Sequence, residues 1–184
     1  MTFISDNSVT DGFTLGPGEG RPIGHQVNLK VGQETTPNLL AVECEFAPGF
    51  DVGAHSHSTH EEIFYVLEGE VEFFAFQPKV ITSEPGSWTQ WESKTGQKVT
   101  RATPGTVLYV PKGTPHGFRN PGDVKMRFLL VGTPAGHENY QQEIADLLAS
   151  PPKDEEDLRR AVEEIRRRNH TEQLTPAVRA PSDM

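Results

Sequence analysis

Cysteine is almost absent from this sequence of 184 residues, which contains only Cys44. An intramolecular disulfide therefore cannot form, and a zinc site built from several cysteine thiolates is excluded. Cys44 falls on the apolar face of the alternating run "LLAVECEFA" at 39–47. We expect it to be a small core residue rather than a reactive thiol, because nothing nearby in the sequence would activate it.

Positive charge and long apolar runs are also scarce. Lys and Arg number 17 against 26 Asp and Glu, giving a net charge of −9, so we expect no nucleic-acid partner. No apolar run approaches the roughly 20 residues that cross a membrane, so we expect no membrane association. The first 13 residues lack the basic and apolar regions of a signal peptide, which predicts a cytoplasmic protein.

Turn-forming residues are abundant, with 17 glycines and 15 prolines. They divide the chain into short runs with the pattern of β-strands. These runs are 25–31, 39–47, 63–67, 70–76, 98–102, 106–110, 116–120 and 124–132. Glu68-Gly69 and "PGD" at 121–123 are turn sequences, and we expect each of them to close a β-hairpin. The pattern predicts a mostly β fold, either a small antiparallel barrel or a jelly roll.

The apolar period changes to that of a helix after Pro134. Two helices are predicted, and the second has acidic residues at its start and arginines 166–168 at its end, as the helix dipole favours. Four regions are therefore expected. They are an N-terminal coil or arm at 1–24, a β-barrel at 25–134, C-terminal helices at 135–170 and a flexible tail at 171–184.

A polar stretch at 77–97 is longer than a hairpin turn needs, and it contains Trp88 and Trp91. Long loops in compact domains often act as lids or binding loops. We expect the two tryptophans either to flank the mouth of a pocket or to contact a partner subunit.

Histidine and glutamate are concentrated in "HSHSTHEE" at 55–62. His55 and His57 are two residues apart, so on a strand both imidazoles point to one side. Glu61 and Glu62 lie on opposite faces of the strand that follows, and periodicity alone does not say which face turns inward. The stretch is therefore either part of a metal site or a solvated polar loop, because an H-x-H pair alone is weak evidence for a metal.

Two spaced motifs provide stronger evidence. The segment "GFDVGAHSHSTHEEIFYVLEG" fits G-x5-H-x-H-x4-E-x6-G, and "GTVLYVPKGTPHGFRN" fits G-x5-P-x-G-x2-H-x3-N. The defined positions are Gly49, His55, His57, Glu62 and Gly69 in the first motif and Gly105, Pro111, Gly113, His116 and Asn120 in the second. At every one of these positions the sequence resembles the two motifs of the cupin superfamily.

The resemblance implies a cupin jelly roll, also called a double-stranded β-helix barrel, with the predicted helices as a C-terminal appendage. It also implies that His55, His57, Glu62 and His116 are the metal ligands. Glu61 stays a minor alternative, because cupins tolerate three or four residues before this glutamate. The motif glycines are expected where the backbone turns sharply.

Other polar residues near the motifs match no ligand position. For His60 the alternatives are a hydrogen bond to a ligand or to substrate and a place in a surface turn. Asn120 is expected to pack in the structure or to support a ligand. His25, His137 and His170 have no motif around them and are expected to be ordinary polar residues.

The flanks "GPGEGR", "VGQETT" and "GTPAGHENYQQEI" are similar to those of small single-barrel cupins of the quercetin 2,3-dioxygenase type. The implied ligand set of nitrogen and oxygen donors without sulfur suits one divalent transition metal per chain: Fe, Mn, Ni, Co, Cu or Zn. The expected function is a dioxygenase that joins dioxygen to an enolic or phenolic aromatic small molecule, with Glu62 as general base as well as ligand. A non-redox isomerase, cyclase or lyase and a non-catalytic binding protein are the alternatives.

An apolar pocket is expected beside the metal. Alternation along the strands makes its candidate lining Phe64, Val66, Phe73, Phe118 and Phe128. The same residues would also serve simply to fill a barrel interior. Because cupins commonly dimerise through their sheets, a homodimer is the expected assembly.

Overall fold

The computed structural model describes residues 11–178, which form eleven strands, two α-helices and one short 3-10 turn. The strands are β1 (Arg21–Ile23), β2 (Val27–Val31), β3 (Leu40–Phe46), β4 (His55–His57), β5 (Glu61–Glu68), β6 (Val71–Ala75), β7 (Thr100–Ala102), β8 (Val107–Val110), β9 (His116–Arg119), β10 (Met126–Thr133) and β11 (Thr171–Gln173). The helices are α1 (His137–Ala149) and α2 (Glu155–Arg168), and the 3-10 turn spans Ser87–Gln90.

The described strands form two antiparallel sheets. Their orders are β1-β2-β3-β10-β5-β8 and β11-β4-β9-β6-β7. Consecutive strands alternate between the sheets through much of the chain, and the two helices follow β10. This architecture confirms the prediction of a mostly β jelly roll with a C-terminal helical appendage.

Alternation along the strands places one face of each sheet in a common core. In β3 and β10 every second residue is buried. Phe64 of β5 packs against Phe73 and Phe118 of the other sheet, with ring centroids 5.5 Å and 5.8 Å apart. Cys44 is buried in the same core, and burial raises the pKa of its thiol, as expected for a structural residue.

The prediction that Glu68-Gly69 and residues 121–123 each close a β-hairpin is wrong. β5 pairs with β10 and β8, whereas β6 pairs with β9 and β7, so Glu68-Gly69 connects the two sheets. Residues 121–123 likewise lead from β9 in one sheet to β10 in the other. A turn sequence predicts that the chain reverses, but it does not determine which strand becomes the hydrogen-bonded neighbour. Gly69 is required at its turn because its φ is 73° and a Cβ would lie 2.5 Å from the Lys125 carbonyl oxygen.

Both ends of the described chain contain more regular structure than expected. β1 lies in the segment predicted to be coil, and it pairs with β2 and buries Ile23. β11 lies in the predicted flexible tail, yet it pairs with β4, and Val178 bridges to Asp51. Short strands of this kind depend on the partner strand, which local sequence patterns do not reveal. Residues 1–10 and 179–184, which also belong to the predicted arm and tail, lie outside the described residues.

The prediction for Trp88 and Trp91 is wrong in both of its forms. Their side chains are only 0% and 5% exposed, and they pack with Phe74 and Phe76 in a second core on the outer face of the five-stranded sheet. The Trp88 indole Nε1–H donates to the Asp51 carboxylate at 3.0 and 3.1 Å. The 77–97 segment therefore covers a sheet face, and its length alone does not distinguish such a cover from a lid.

The two helices pack against each other and against end strands of the two sheets, α1 against β1 and α2 against β11. At the start of α2 the carboxylate of Asp154 accepts hydrogen bonds from two backbone N–H groups. At its end the arginines occupy the last turn, as predicted, and Arg168 donates to Glu143 of α1 at 2.6 Å. None of the helices in the described part of the chain is long and apolar enough to cross a membrane. Because α1 begins four residues after β10, its first residue, His137, lies at one end of the barrel.

We expect Trp88→Ala to lower the free energy of unfolding by about 3–5 kcal/mol, because it empties a core position and removes a hydrogen bond to a buried carboxylate. Ile81→Ala, in the same loop but half exposed, should cost less than about 0.5 kcal/mol. Urea denaturation followed by fluorescence measures both. Equal stability of the two variants would contradict the packing of this loop.

Candidate metal centre

Three histidines meet where β4 and β9 pair. His55 and His57 are both buried on the same side of β4. His116, the first residue of β9, lies directly opposite His55, with ring centroids 4.2 Å apart. The ligand nitrogens of the three rings lie within 4.8 Å of one another. The structure thus brings together three of the four predicted ligands.

The fourth predicted ligand comes from β5. The Glu62 side chain is buried, and its Oε2 lies 3.2 Å from His116 Nε2. Glu61 belongs to the opposite face, where its Oε2 accepts a hydrogen bond from the Tyr109 hydroxyl at 2.8 Å. The inward face of β5 therefore carries Glu62, and Glu61 does not reach the histidines.

Backbone carbonyl groups determine where two of the imidazoles carry their proton. His55 Nδ1 lies 3.0 Å from the Gly53 carbonyl oxygen, and His116 Nδ1 lies 3.0 Å from that of Thr114. A carbonyl oxygen can only accept, so Nδ1 of each neutral ring carries the hydrogen. The Nε2 lone pair of each ring is then free to bind a metal.

A hydroxyl group from β11 gives His57 the same arrangement. His57 Nδ1 lies 3.1 Å from Thr171 Oγ1, and this hydroxyl lies 3.4 Å from the Asn169 carbonyl oxygen. If the hydroxyl donates to Asn169, it accepts from His57 Nδ1 and leaves Nε2 unprotonated. Sequence reasoning missed Thr171, because 114 residues separate it from His57 and no motif contains it.

Burial keeps the imidazoles in the form that binds metals. It lowers the pKa of His55 to about 3, and it lowers the pKa of His57 well below its usual value. Burial alone would raise the pKa of Glu62, but the neighbouring His57, His116 and His60 outweigh it and hold that pKa well below its usual range. Burial thus favours the neutral form of His55 and His57, and the neighbouring histidines favour the ionised form of Glu62.

Several buried atoms of the cluster have no hydrogen-bond partner within residues 11–178, namely Nε2 of His57, His60 and His116 and Oε2 of Glu62. Leaving a buried polar atom unpaired costs about 1–3 kcal/mol. His116 Nε2 and Glu62 Oε2, two lone-pair atoms, also face each other at 3.2 Å. A cation between them would satisfy both, so the residues present fit a metal ion.

His60 and His137 are closer to this cluster than the sequence indicated. His60 is buried rather than part of a surface turn, and its Nε2 lies 3.4 Å from Glu62 Oε1. His137, expected to be an ordinary polar residue, has its ring 4.5 Å from that of His57. Together with His57 and Glu62 they form a second group of donors within 4.8 Å of one another. The position of His60 inside the histidine-rich stretch could have indicated its place in the cluster, whereas no feature of the neighbouring sequence indicated that of His137.

Asn120 supports a turn rather than the metal cluster. Its amide donates to the carbonyl oxygens of Phe46 and Val124, and its Oδ1 accepts from the Gly122 backbone N–H. These contacts agree with the expected packing role of Asn120. None of these hydrogen bonds reaches a predicted metal ligand.

The five expected pocket residues all belong to the main core. The rings of Phe64, Phe118 and Phe128 contact one another at centroid distances of 5.1 to 5.8 Å, and Val66 and Phe73 are buried with them. These contacts fit the filled-interior alternative, and a substrate pocket at this place stays a prediction.

Two surface clefts of about 640 and 330 Å³ lie elsewhere, one at the start of α2 and one between β2 and the start of α1. Neither of these two clefts is lined by a described residue of the histidine cluster. Access to the cluster therefore depends on the elements that cover it, among them α1 with His137.

A cupin family model matches residues 25–159, which is most of the chain and includes all four predicted ligands. The protein therefore belongs to the cupin family. Family membership and the cluster of histidines and glutamate together support a divalent metal at this site.

The solved structures to which this chain is similar share little sequence with it. A predicted oxalate decarboxylase from Thermotoga maritima is 24% identical, with a TM-score of 0.44 over 59% of this chain and 78% of that one. KdgF from a Halomonas species is 21% identical, with a TM-score of 0.44 over 66% and 92%. Oxalate decarboxylase from Bacillus subtilis is 18% identical, with a TM-score of 0.46 over 60% and 26%. Likenesses this distant carry no argument about the reaction. None of the curated proteins searched matches this chain significantly.

We expect Thr171→Val to weaken metal binding about 10- to 100-fold, because His57 Nδ1 loses the hydroxyl that orients the ring. Thr171→Ser keeps a hydroxyl at this position and should bind within about threefold of the wild type. Calorimetric titration of the metal-free protein with Zn²⁺ or Co²⁺ measures both affinities. Equal weakening in the two variants would show that the hydroxyl is not the group that matters.

Proposed function

We propose that the protein is a metal-dependent cupin enzyme, specifically a dioxygenase acting on an enolic or phenolic aromatic small molecule. One observation supports this proposal above the others. The Nδ1 atoms of His55, His57 and His116 are each hydrogen-bonded, which directs three Nε2 lone pairs towards the space beside the Glu62 carboxylate. In this proposal these four residues hold one divalent transition metal per chain, which is Fe, Mn, Ni, Co, Cu or Zn.

A metal bound by these residues would act as a Lewis acid and template for a substrate oxygen, with open positions that also suit dioxygen. The protein residues supply the remaining steps. Glu62 would accept the proton of the substrate hydroxyl at Oε1, the oxygen turned away from His116. The aromatic residues of the main core, including Phe64 and Phe128, would exclude water from the reacting atoms.

A non-redox isomerase, cyclase or lyase is the second candidate, because nitrogen and oxygen donors serve Lewis-acid chemistry equally well. Both candidates need the same four ligands and the same proton acceptor. They differ in whether dioxygen is consumed. A non-catalytic cupin is the third candidate, in which ligand binding would raise thermal stability without turnover.

We expect Glu62→Gln to lower turnover at least about 100-fold, because the amide cannot accept the substrate proton. Metal-loaded protein is screened with flavonols and related enols in an oxygen electrode, with product detected by mass spectrometry. His25→Ala, at an exposed position outside the cluster, is the matched control and should keep wild-type turnover. Product formation without oxygen uptake would contradict the dioxygenase proposal and support the non-redox enzyme. If the protein stays metal-free after reconstitution, both enzyme proposals lose their basis.

We also propose that the protein forms a homodimer through the outer face of the six-stranded sheet at β5 and β8. Four side chains there are 42–60% exposed and lie opposite one another as Ile63–Tyr109 and Tyr65–Val107. β8 is the last strand of this sheet among the described residues, so the apolar patch continues to a sheet edge. A two-fold axis would cover the patch with its own copy.

We expect Val107→Glu to shift the protein from dimer to monomer, because two copies of the new carboxylate would be buried against apolar side chains at the interface. Val80→Glu adds the same charge at a position that is 68% exposed in the 77–97 loop, and it should leave the dimer intact. Light scattering coupled to size-exclusion chromatography gives the mass in solution. A monomeric wild-type protein at micromolar concentration would contradict the dimer.

A further inference from the structure

The metal cluster has more donors than one cupin site uses. His55, His57 and His116 form one group, and His57, His60, Glu62 and His137 form another, each with its ligand atoms within 4.8 Å of one another. Only His57 belongs to both groups, and its single free Nε2 can bind only one ion. The donors therefore fall into two overlapping sets rather than a single one.

The two oxygens of Glu62 face these two positions separately. Oε2 lies 3.2 Å from His116 Nε2, whereas Oε1 lies 3.4 Å from His60 Nε2 and 4.0 Å from His57 Nε2. Distances of 3.2 and 3.4 Å are close to those between neighbouring ligands of one ion. Each carboxylate oxygen therefore has its own histidine at ligand distance, which is the arrangement of a carboxylate that bridges two cations about 3.5–4 Å apart.

His60 and His137 have the state expected of ligands on this second side. Nδ1 of His60 lies 3.2 Å from the Thr59 hydroxyl, and its buried Nε2 has no hydrogen-bond partner within residues 11–178. Nδ1 of His137 is likewise buried without a partner among these residues. The two rings are 4.6 Å apart, although 77 residues separate them in the chain. A polar atom left unpaired on each ring is costly unless something binds there.

We propose that His60, His137 and Glu62 Oε1 form a second cation subsite beside the site of His55, His57 and His116, with Glu62 as the bridging ligand. This inference rests on the cupin-type metal site proposed above. The donor set of two imidazoles and one carboxylate oxygen suits a divalent transition metal, Zn²⁺ or Co²⁺ in particular. With three protein donors instead of four, the second ion binds more weakly than the first.

Metal stoichiometry tests the subsite independently of any substrate. Metal-free wild-type protein is titrated with Zn²⁺ by calorimetry and by equilibrium dialysis with elemental analysis. We expect two ions per chain in two steps. His60→Ala and His137→Ala should each retain the first step within about threefold and weaken the second at least about 100-fold. His25→Ala, the exposed control, should bind two ions as the wild type does.

Each other result has a definite meaning. Saturation of the wild type at one ion would overturn the second subsite and leave the cupin site standing, whereas binding of no ion would remove both. A second equivalent that survives both histidine substitutions would be an adventitious ion only, and it would overturn the proposal. Circular dichroism of each variant checks folding, and His137→Gln replaces His137→Ala if the alanine variant does not fold.

Discussion

The hydrogen bonds on the Nδ1 atoms of three histidines are the constraint on which the metal centre depends. They fix the tautomers of His55 and His116, and they fix that of His57 when the Thr171 hydroxyl donates to Asn169, so that the Nε2 lone pairs are free to bind a metal. The partners come from the strand ends themselves, because two of them are backbone carbonyls near β4 and β9. β4 is only three residues long, and it keeps its place by pairing with β9 on one side and β11 on the other. The site thus depends on sheet order more than on the metal motif.

The convergence of the four predicted ligands was predictable from the sequence because motif spacing and strand alternation are both local properties. Within "HSHSTHEE" the alternation placed Glu61 and Glu62 on opposite faces, and the cupin spacing chose Glu62. Thr171 and His137 could not be predicted in the same way. Each is brought to the site by an element whose local sequence is unrelated to it, β11 for Thr171 and α1 for His137. A helical period predicts that α1 exists but not where its first turn lies.

The errors in the predicted fold have the same cause, because contacts between distant parts of the chain cannot be predicted from local sequence. Strand positions were predicted from alternation, and most of them match β2, β3 and β5–β10 closely. The pairing of these strands was not predictable, because a jelly roll moves the chain from one sheet to the other at its turns. Glu68-Gly69 has the composition of a hairpin turn and still joins different sheets. The 77–97 loop was mispredicted for a different reason. Its sequence is mostly polar, yet its two tryptophans, Trp88 and Trp91, cover the outer face of a sheet.

Glu62 connects the proposed reaction with the proposed second subsite, because both use Oε1. A cation on that oxygen stabilises its negative charge, so the oxygen becomes a weaker proton acceptor. With one cation held through Oε2, Oε1 would be free to take the proton of an enol. With two cations Glu62 would be a bridging ligand, and the added positive charge would favour a substrate that arrives already as an anion. The relative affinities of the two positions would then decide which substrate form the centre accepts. His60 and His137 would control that balance without being among the four cupin ligands.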